Sequence, residues 1–425
     1  MRAGIRVCLQ RRKALKASRE ASPIAKETAS RMRRAREAAA GSGLDGLLVT
    51  HLPDVRYLCG FSGSSGMLLL LNKYAYFITD FRYREQARVE VSGARVVIQN
   101  DGHAEALRKI LASHVGKRAR EAAGPGVSGG GAQESDARGR GRQRERGEDV
   151  AGGGPEKLLL GFDPEHISYA EVTALRRRLR ETARLSPLKS SLALLRAPKS
   201  PRELGIMGEG IRIAERALKE VLRAAGAATT EARLAAELEA EARRLGAESP
   251  SFETIVASGK RGALVHARPS RKRLAGVAVI DWGIVHEGYC TDCNRTLAFG
   301  RVPSALRRAH GLVLDAQERA LEAVGPGVRA REVDRAAREV IEAAGLGHAF
   351  GHGLGHGVGL EVHERPHVSA RSDDVLEEGM VFTIEPGIYL PGLGGVRVED
   401  MAVVTRDGAE LLTSLPRTLD PADYL

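Results

Sequence analysis

Apolar and polar positions along this 425-residue chain follow two rhythms. In the first half, short apolar runs at 47–49, 67–71 and 76–78 are separated by turn residues, which predicts buried strands of an α/β domain. The stretch GFSGSSG between the first two runs fits no Gly-x-Ser-x-Gly register and reads as a turn, not a nucleophile elbow. Residues 117–156 lose the rhythm. From 121 to 156 there are eleven glycines and only Val127 and Val150 as large apolar residues, too little to bury, so a disordered insertion is expected. KLLLGFDPEHISYAEVTALRRRLRE then resumes with a strand followed by a helix.

The second half opens on helical periodicity in APKSPRELGIMGEGIRIAERALKEVL. Ser200 is placed to cap the helix, Pro201 to occupy its first position and Glu203 to complete a capping box. The pattern then repeats. Glu215-Arg216-Ala217-Leu218 returns as Glu318-Arg319-Ala320-Leu321, and each copy leads through a second helix to a strand segment ending in a related tetrapeptide, His266-Ala267-Arg268-Pro269 and His363-Glu364-Arg365-Pro366. Such self-similarity at about a hundred residues predicts a duplicated α/β unit with a site between its halves. The expected organisation is a basic, disordered extension over 1–29, a first domain over 30–193, a second over 194–415 and a tail over 416–425.

Composition changes this picture little. The formal net charge is +11, but residues 1–38 carry twelve Lys/Arg against Glu20, Glu27 and Glu37, so the rest of the chain is close to neutral. A nucleic-acid groove is not expected. No apolar run is long enough to span a bilayer, the extension lacks the apolar core of a secretory signal, and a cytoplasmic location is expected. The four cysteines make no disulfide framework, and Cys290-x-x-Cys293 has no second pair with which to hold zinc.

The chemistry lies in two strand-rich stretches. VAVIDWGIVHEGYCTDCNRTLAFG reads as a hairpin. With His286-Glu287 as its turn, Asp281 and Asp292 face each other directly, and paired like charges in a sheet call for a cation. MVFTIEPGIYLPGLGGVRVEDMAVV places Glu385 at the end of an apolar strand, where a lone buried acid is expensive, and puts Arg397 and Glu399 on one face of a following strand. GHGLGHGVGLEVHERP adds His352, His356 and His363. It has neither a dinucleotide fingerprint nor a Gly-Lys-Ser/Thr phosphate loop. Four acids with histidine form a ligand set for first-row divalent ions, too rich in carboxylate for structural zinc.

Taken together, VIDWG…GYCTDCNRT, GHGLGHGVGLEVHERP, TIEPGIYLP and GVRVED resemble the pita-bread metallopeptidases, in particular the Xaa-Pro aminopeptidase and prolidase branch. The first domain resembles the creatinase-type N-terminal domain, including TDFRY. The resemblance implies an α/β (α+β) chain in which a creatinase-type domain precedes a pseudo-duplicated pita-bread catalytic domain. It implies Asp281, Asp292, His356, Glu385 and Glu399 as ligands of two divalent ions, Mn²⁺ first and Co²⁺, Zn²⁺ or Fe²⁺ as alternatives. It further implies Glu385 as a proton relay, His352 and His363 at the substrate and the tetrahedral intermediate, His266 along the substrate pocket, and Arg397 and Tyr389 beside it, Arg397 orienting a carboxylate. The expected reaction releases the N-terminal residue of peptides with proline in second position, through a hydroxide bridging the two ions, in a homodimer. An Xaa-Pro dipeptidase is the alternative, and a non-catalytic pita-bread binding protein a more remote one.

Overall fold

The computed structural model describes residues 23–122, 157–226 and 228–425. The expected disorder of 1–22 and 123–156 lies outside the described residues. The flanks of both segments differ from expectation. Helix α1 starts at Pro23 and runs to Gly41, because Met32, Ala35 and Ala39 form a buried stripe at helical spacing while Arg33 and Arg34 between them are exposed. Residues 117–122 end a long helix, His103–Ala122. Leu107, Leu111 and Val115 anchor it, and Ala, Arg and Glu carry it onward as good helix formers.

The chain divides into two compact units, 1–191 and 192–425. In the first, α1 is followed by β1 (Gly46–Val49), α2 (Leu52–Cys59), β2 (Met67–Leu71), β3 (Ala75–Asp80), α3 (Arg84–Glu90), β4 (Arg95–Gln99), α4 (His103–Ala122), β5 (Leu158–Phe162), α5 (Tyr169–Leu179) and β6 (Ala183–Pro187). The six strands form one sheet in the order β4-β3-β2-β1-β5-β6. β1 pairs antiparallel with β2 and parallel with β5. Leu48, Leu69, Ile78, Leu107, Leu160 and Leu175 close the core between sheet and helices.

The second unit holds α6 (Ala193–Arg196), the helix pair α7 (Pro201–Ala224) and α8 (Glu231–Arg244), strands β7 (Ser249–Pro250), β8 (Ile255–Ser258), β9 (Val277–Trp282), β10 (Ile284–His286), β11 (Tyr289–Cys290) and β12 (Cys293–Ala298). A second helix pair follows, α9 (Ser304–Glu322) and α10 (Ala330–Ala343), then β13 (Gly355–Gly357), β14 (Glu364–Val368), β15 (Val381–Ile384), β16 (Gly387–Leu390), β17 (Gly394–Arg397), β18 (Asp400–Thr405) and β19 (Gly408–Leu411). Each helix pair thus leads into its own sheet, β12-β9-β8 in the first half and β14-β13-β15-β18-β19 in the second. The capping box at Ser200 and Glu203 is formed.

Four local expectations change. The hairpin turns at Glu287-Gly288, one residue later than expected. A type I′ two-residue loop has positive φ at both positions, and Glu287 (φ 43°) and Gly288 (φ 75°) supply it. The register therefore moves by two, Asp281 lies opposite Asn294, and Asp292 occupies the break between β11 and β12. Glu399 likewise sits in the break between β17 and β18, not on one strand with Arg397, and forms an isolated bridge with Asn294. Of the two related tetrapeptides only the second enters a strand, β14; the first follows a short 3-10 turn at Gly259–Ala263. The expected tail is packed. The buried Arg295 donates to the carbonyls of Leu415 and Pro416, and Tyr424 belongs to the same buried cluster as Trp282.

Gly355, next to His356, shows how closely the second sheet is fitted. A Cβ there would lie 1.9 Å from the Thr383 carbonyl oxygen of β15. Gly355→Ala is expected to cost about 1–3 kcal/mol, the usual price of overpacking; a denaturant midpoint equal to that of the unsubstituted protein would show that β13 can shift freely.

Candidate metal centre

Nine of the ten residues singled out above line one cavity of about 560 Å³ in the second unit: His266, Asp281, Asp292, His352, His356, His363, Glu385, Arg397 and Glu399. Phe252, Thr254, Ile255 and Val265 complete part of its wall. Tyr389 is not on the lining but is bound to two residues that are. Its hydroxyl accepts from Arg397 Nη1 at 2.9 Å and lies 3.0 Å from His352 Nε2.

The acids arrive on strand ends and breaks. Asp281 lies near the end of β9, Asp292 before β12, Glu385 just past β15 and Glu399 just before β18. His356 is the middle residue of β13. Its Nδ1 donates to the Gly357 carbonyl at 3.2 Å, which leaves Nε2 facing the acids, 3.4 Å from Glu385 Oε1 and 3.6 Å from Asp292 Oδ2. Donor atoms of Asp292, His356 and Glu399 all lie within 4.8 Å of one another. Arg397 donates through Nη2 to Asp281 Oδ2, and Asp281 Oδ1 is buried with no hydrogen-bond partner.

Charge explains what this arrangement requires. Four carboxylates share a buried space with one permanent cation, Arg397, and a histidine. Burial, and then the neighbouring acids, push Asp292 and Glu399 well above the ordinary carboxylate range. Burial also raises Asp281, against the pull of Arg397. Burial works against a charged His356, but the bond to Glu385 and the field of Glu385 and Asp292 outweigh it and push the imidazole up to about 9. The centre therefore holds protons where it could hold cations. Oxygen-rich donors, one imidazole with Nε2 aimed inward and an orphaned carboxylate oxygen fit divalent ions once those protons leave.

The two remaining histidines of the glycine-rich stretch differ from His356. Burial lowers both His352 and His363, so both favour the neutral form. His363 packs edge-on against His356, with ring centroids 4.3 Å apart. Both nitrogens of His352 are engaged: Nδ1 donates to the Gly353 carbonyl at 2.8 Å, so Nε2 accepts from Tyr389. His266 lies at the cavity wall in the turn after Gly259–Ala263.

Several supporting residues were not foreseen. Thr383 Oγ1 accepts from the His356 amide and donates to Glu385 Oε1 at 3.3 Å, tying one acid to the histidine. Gln317 donates to the carbonyls of Ile384 and Val398, next to Glu385 and Glu399. Asn294, between Asp281 and Glu399, is buried with no partner for its amide. Gln317 did leave a sequence signal, a polar residue on the apolar face of α9; the other two show no periodicity of their own.

Without cations the fold should lose stability as pH rises. His356, raised from 6.5 to about 9, contributes stability that is complete below 6.5 and lost as pH climbs through about 9. Asp292 and Glu399, raised above 3.8 and 4.5, act in the same direction from those values upward, while Glu385, held below the usual range because His356 outweighs its burial, contributes stability that is already complete above 4.5 and adds no slope beyond it. Melting temperatures of chelator-stripped protein from about pH 5 to about pH 9 should fall, with a shallower fall in His356→Ala and after Mn²⁺ addition; a flat profile would contradict this charge balance.

Comparison with known proteins agrees with this geometry. Residues 205–406 match metallopeptidase family M24, and residues 31–127 match the creatinase/prolidase N-terminal domain. The chain is 35% identical over 379 residues to the peptidase YqhT of Bacillus subtilis (strain 168), covering 89% of this chain and 96% of that one. It is 44% identical over 227 residues to an Xaa-Pro dipeptidase of Pyrococcus furiosus, covering 53% and 65%. Among solved structures, the Xaa-Pro dipeptidase from Bacillus anthracis superposes with a TM-score of 0.79 at 34% identity, over 92% of this chain and 99% of that one. The X-Pro aminopeptidase from Thermotoga maritima MSB8 gives 0.74 at 32%, over 90% and 99%. This chain is a member of metallopeptidase family M24 that carries a creatinase/prolidase N-terminal domain.

Proposed function

We propose that this chain hydrolyses the bond between an N-terminal residue and a following proline, and that it does so on dipeptides. The observation that carries the reaction class is the convergence of three buried carboxylates, the partly buried Glu385 and His356 on one cavity, with Asp281 Oδ1 left unpartnered. The dipeptidase reading replaces the aminopeptidase first expected because the Pyrococcus and Bacillus anthracis relatives both bear that name. The aminopeptidase from Thermotoga maritima keeps the other reading in play as a second choice. A non-catalytic role is disfavoured, since each of the five proposed ligand positions keeps its donor.

In this reading Asp281, Asp292, His356, Glu385 and Glu399 hold two divalent ions, Mn²⁺ first. Such ions supply Lewis acidity, polarising the scissile carbonyl and making water a nucleophile near neutral pH. The protein's own groups do the rest. Glu385, ionised and tied to Thr383 and His356, takes the proton of the attacking water and delivers it to the proline nitrogen, which cannot leave unprotonated. His363, neutral and packed beside His356, donates to the oxygen on which charge develops. Arg397 holds Asp281 and Tyr389 in place, and Tyr389 holds His352. His352 reaches the substrate by giving up that last bond.

Two outcomes test this. Hydrolysis of Xaa-Pro dipeptides should vanish with chelator and return with Mn²⁺, and tripeptides of the form Xaa-Pro-Xaa should be cleaved with a much lower kcat/KM. Equal or faster tripeptide cleavage would make the enzyme an aminopeptidase, and full activity in protein shown metal-free by elemental analysis would refute the reaction class. In the second, His356→Ala should lose bound metal, whereas His352→Ala and His363→Ala should keep it and lose about 10²–10³ in kcat with little change in KM. Metal loss in all three would mean that the histidines share one role.

A further inference from the structure

A second cluster of ligating side chains lies within the first unit. β1 and β5 are adjacent and parallel, so the chain leaves both at the same edge of the sheet. In open α/β sheets this edge, at the C-terminal ends of neighbouring parallel strands, is where ligands bind. The segment after β1 carries His51 and, in the first turn of α2, Asp54. The loop between β5 and α5 carries His166. These residues come from segments more than a hundred positions apart, yet they meet. His51 Nδ1 is 3.1 Å from Asp54 Oδ2, the ring of His166 stacks on that of His51 at 3.7 Å with planes 8° apart, and one donor atom from each of the three lies within 4.8 Å of the others.

We propose that His51, Asp54 and His166 form a cation site separate from the carboxylate centre, selective for a borderline transition ion, with Zn²⁺ as its first occupant. Two imidazoles and one carboxylate are a donor set for Zn²⁺, Co²⁺ or Ni²⁺, with a fourth position left for water. Tetrahedral zinc at about 2.0–2.1 Å from each ligand sets donors about 3.3 Å apart. Closing the observed spread to that value requires the two rings to rotate out of their stacked arrangement. Asp54 is buried and fixed by its helix, so it provides the rigid corner of the site, while His51 and His166, only partly buried, supply the adjustable ones.

The two centres would sort ions by chemistry. The M24 cavity offers four carboxylates and one imidazole, which suits Mn²⁺, whereas the N-terminal cluster offers two imidazoles and one carboxylate, which suits softer ions. An ion there would clamp the start of α2 to the loop before α5. It would cross-link two segments, distant in sequence, that leave the same edge of the sheet, without entering the hydrolytic reaction.

The test uses the full chain, stripped with chelator, reloaded with Mn²⁺ and then dialysed against Zn²⁺. The unsubstituted protein should retain one more equivalent of Zn²⁺ than His166→Ala, while Mn²⁺-supported peptide hydrolysis is the same in both. On Zn²⁺ addition, amide hydrogen exchange should slow in residues 50–56 and 163–168 of the unsubstituted protein and stay unchanged in the variant. If His166→Ala fails to give a native circular dichroism spectrum, His166→Gln, which keeps bulk and polarity but loses the ring, takes its place. Equal zinc content in the protein and a folded variant, with no difference in exchange, would overturn the proposal.

Discussion

Mutual repulsion among Asp281, Asp292, Glu385 and Glu399 is the constraint around which the second unit is organised. Four carboxylates removed from water would force one another to keep their protons, and the protein counters this with few positive groups. Arg397 is bound to Asp281, and His356 faces Glu385 and Asp292. A buried charge cluster left uncompensated is strongly unfavourable. The fold therefore stores a demand for cations, and the same demand makes the cavity a place where charge developing on a substrate can be stabilised.

Meeting that demand requires a scaffold that does not relax. Arg295 and Asp400 form a buried ion pair directly beside the strand break that carries Glu399, and Gln317 bonds the backbone next to Glu385 and Glu399 from helix α9. On the other side, Lys199 Nζ donates to Glu364 Oε1 at 2.7 Å, and Arg196 bonds Glu364 and Glu361. Glu364 follows His363 directly, so this buried network fixes the strand end from which His363 reaches the cavity. Asp334 does the same for the glycine-rich stretch, accepting from the Leu354 amide and from Arg338, whose guanidinium also holds the carbonyls of Phe350 and His352.

Periodicity made much of this fold legible. The strand runs of the first unit, the capped start of α7 and the paired helices of each half are strong local patterns, and tertiary structure had no reason to override them. The acids were legible for a different reason: Asp and Glu inside apolar strand runs violate strand chemistry, and such violations mark sites. What the pattern could not supply was register. Whether the hairpin turned at 286 or 287 depended on which residues tolerate positive φ, and the answer placed Asn294, not Asp292, opposite Asp281. Long-range partners were also hidden. Nothing in the spacing of Tyr389, Thr383 or Gln317 shows that they meet His352, Glu385 and the 384 and 398 carbonyls, since those contacts exist only once the sheets have closed. The start of α1 and the end of α4 were not legible because their helix-forming residues run directly into basic or glycine-rich neighbours that carry little apolar signal.

The break in which Asp292 lies has one more effect. Its amide donates only to the sulfur of Met401, at 3.3 Å, while the neighbouring Thr291 amide is held by the Ile284 carbonyl at 2.8 Å. A thioether is a weak acceptor, so this one acid rides on backbone that no strong bond fixes. A small shift of this residue would cost the sheet no ladder bond from that amide. Among the cavity acids Asp292 is thus the one whose own amide leans on a soft acceptor, whereas the amides of Glu385 and Glu399 are held by the carbonyls of Leu354 and Asn294.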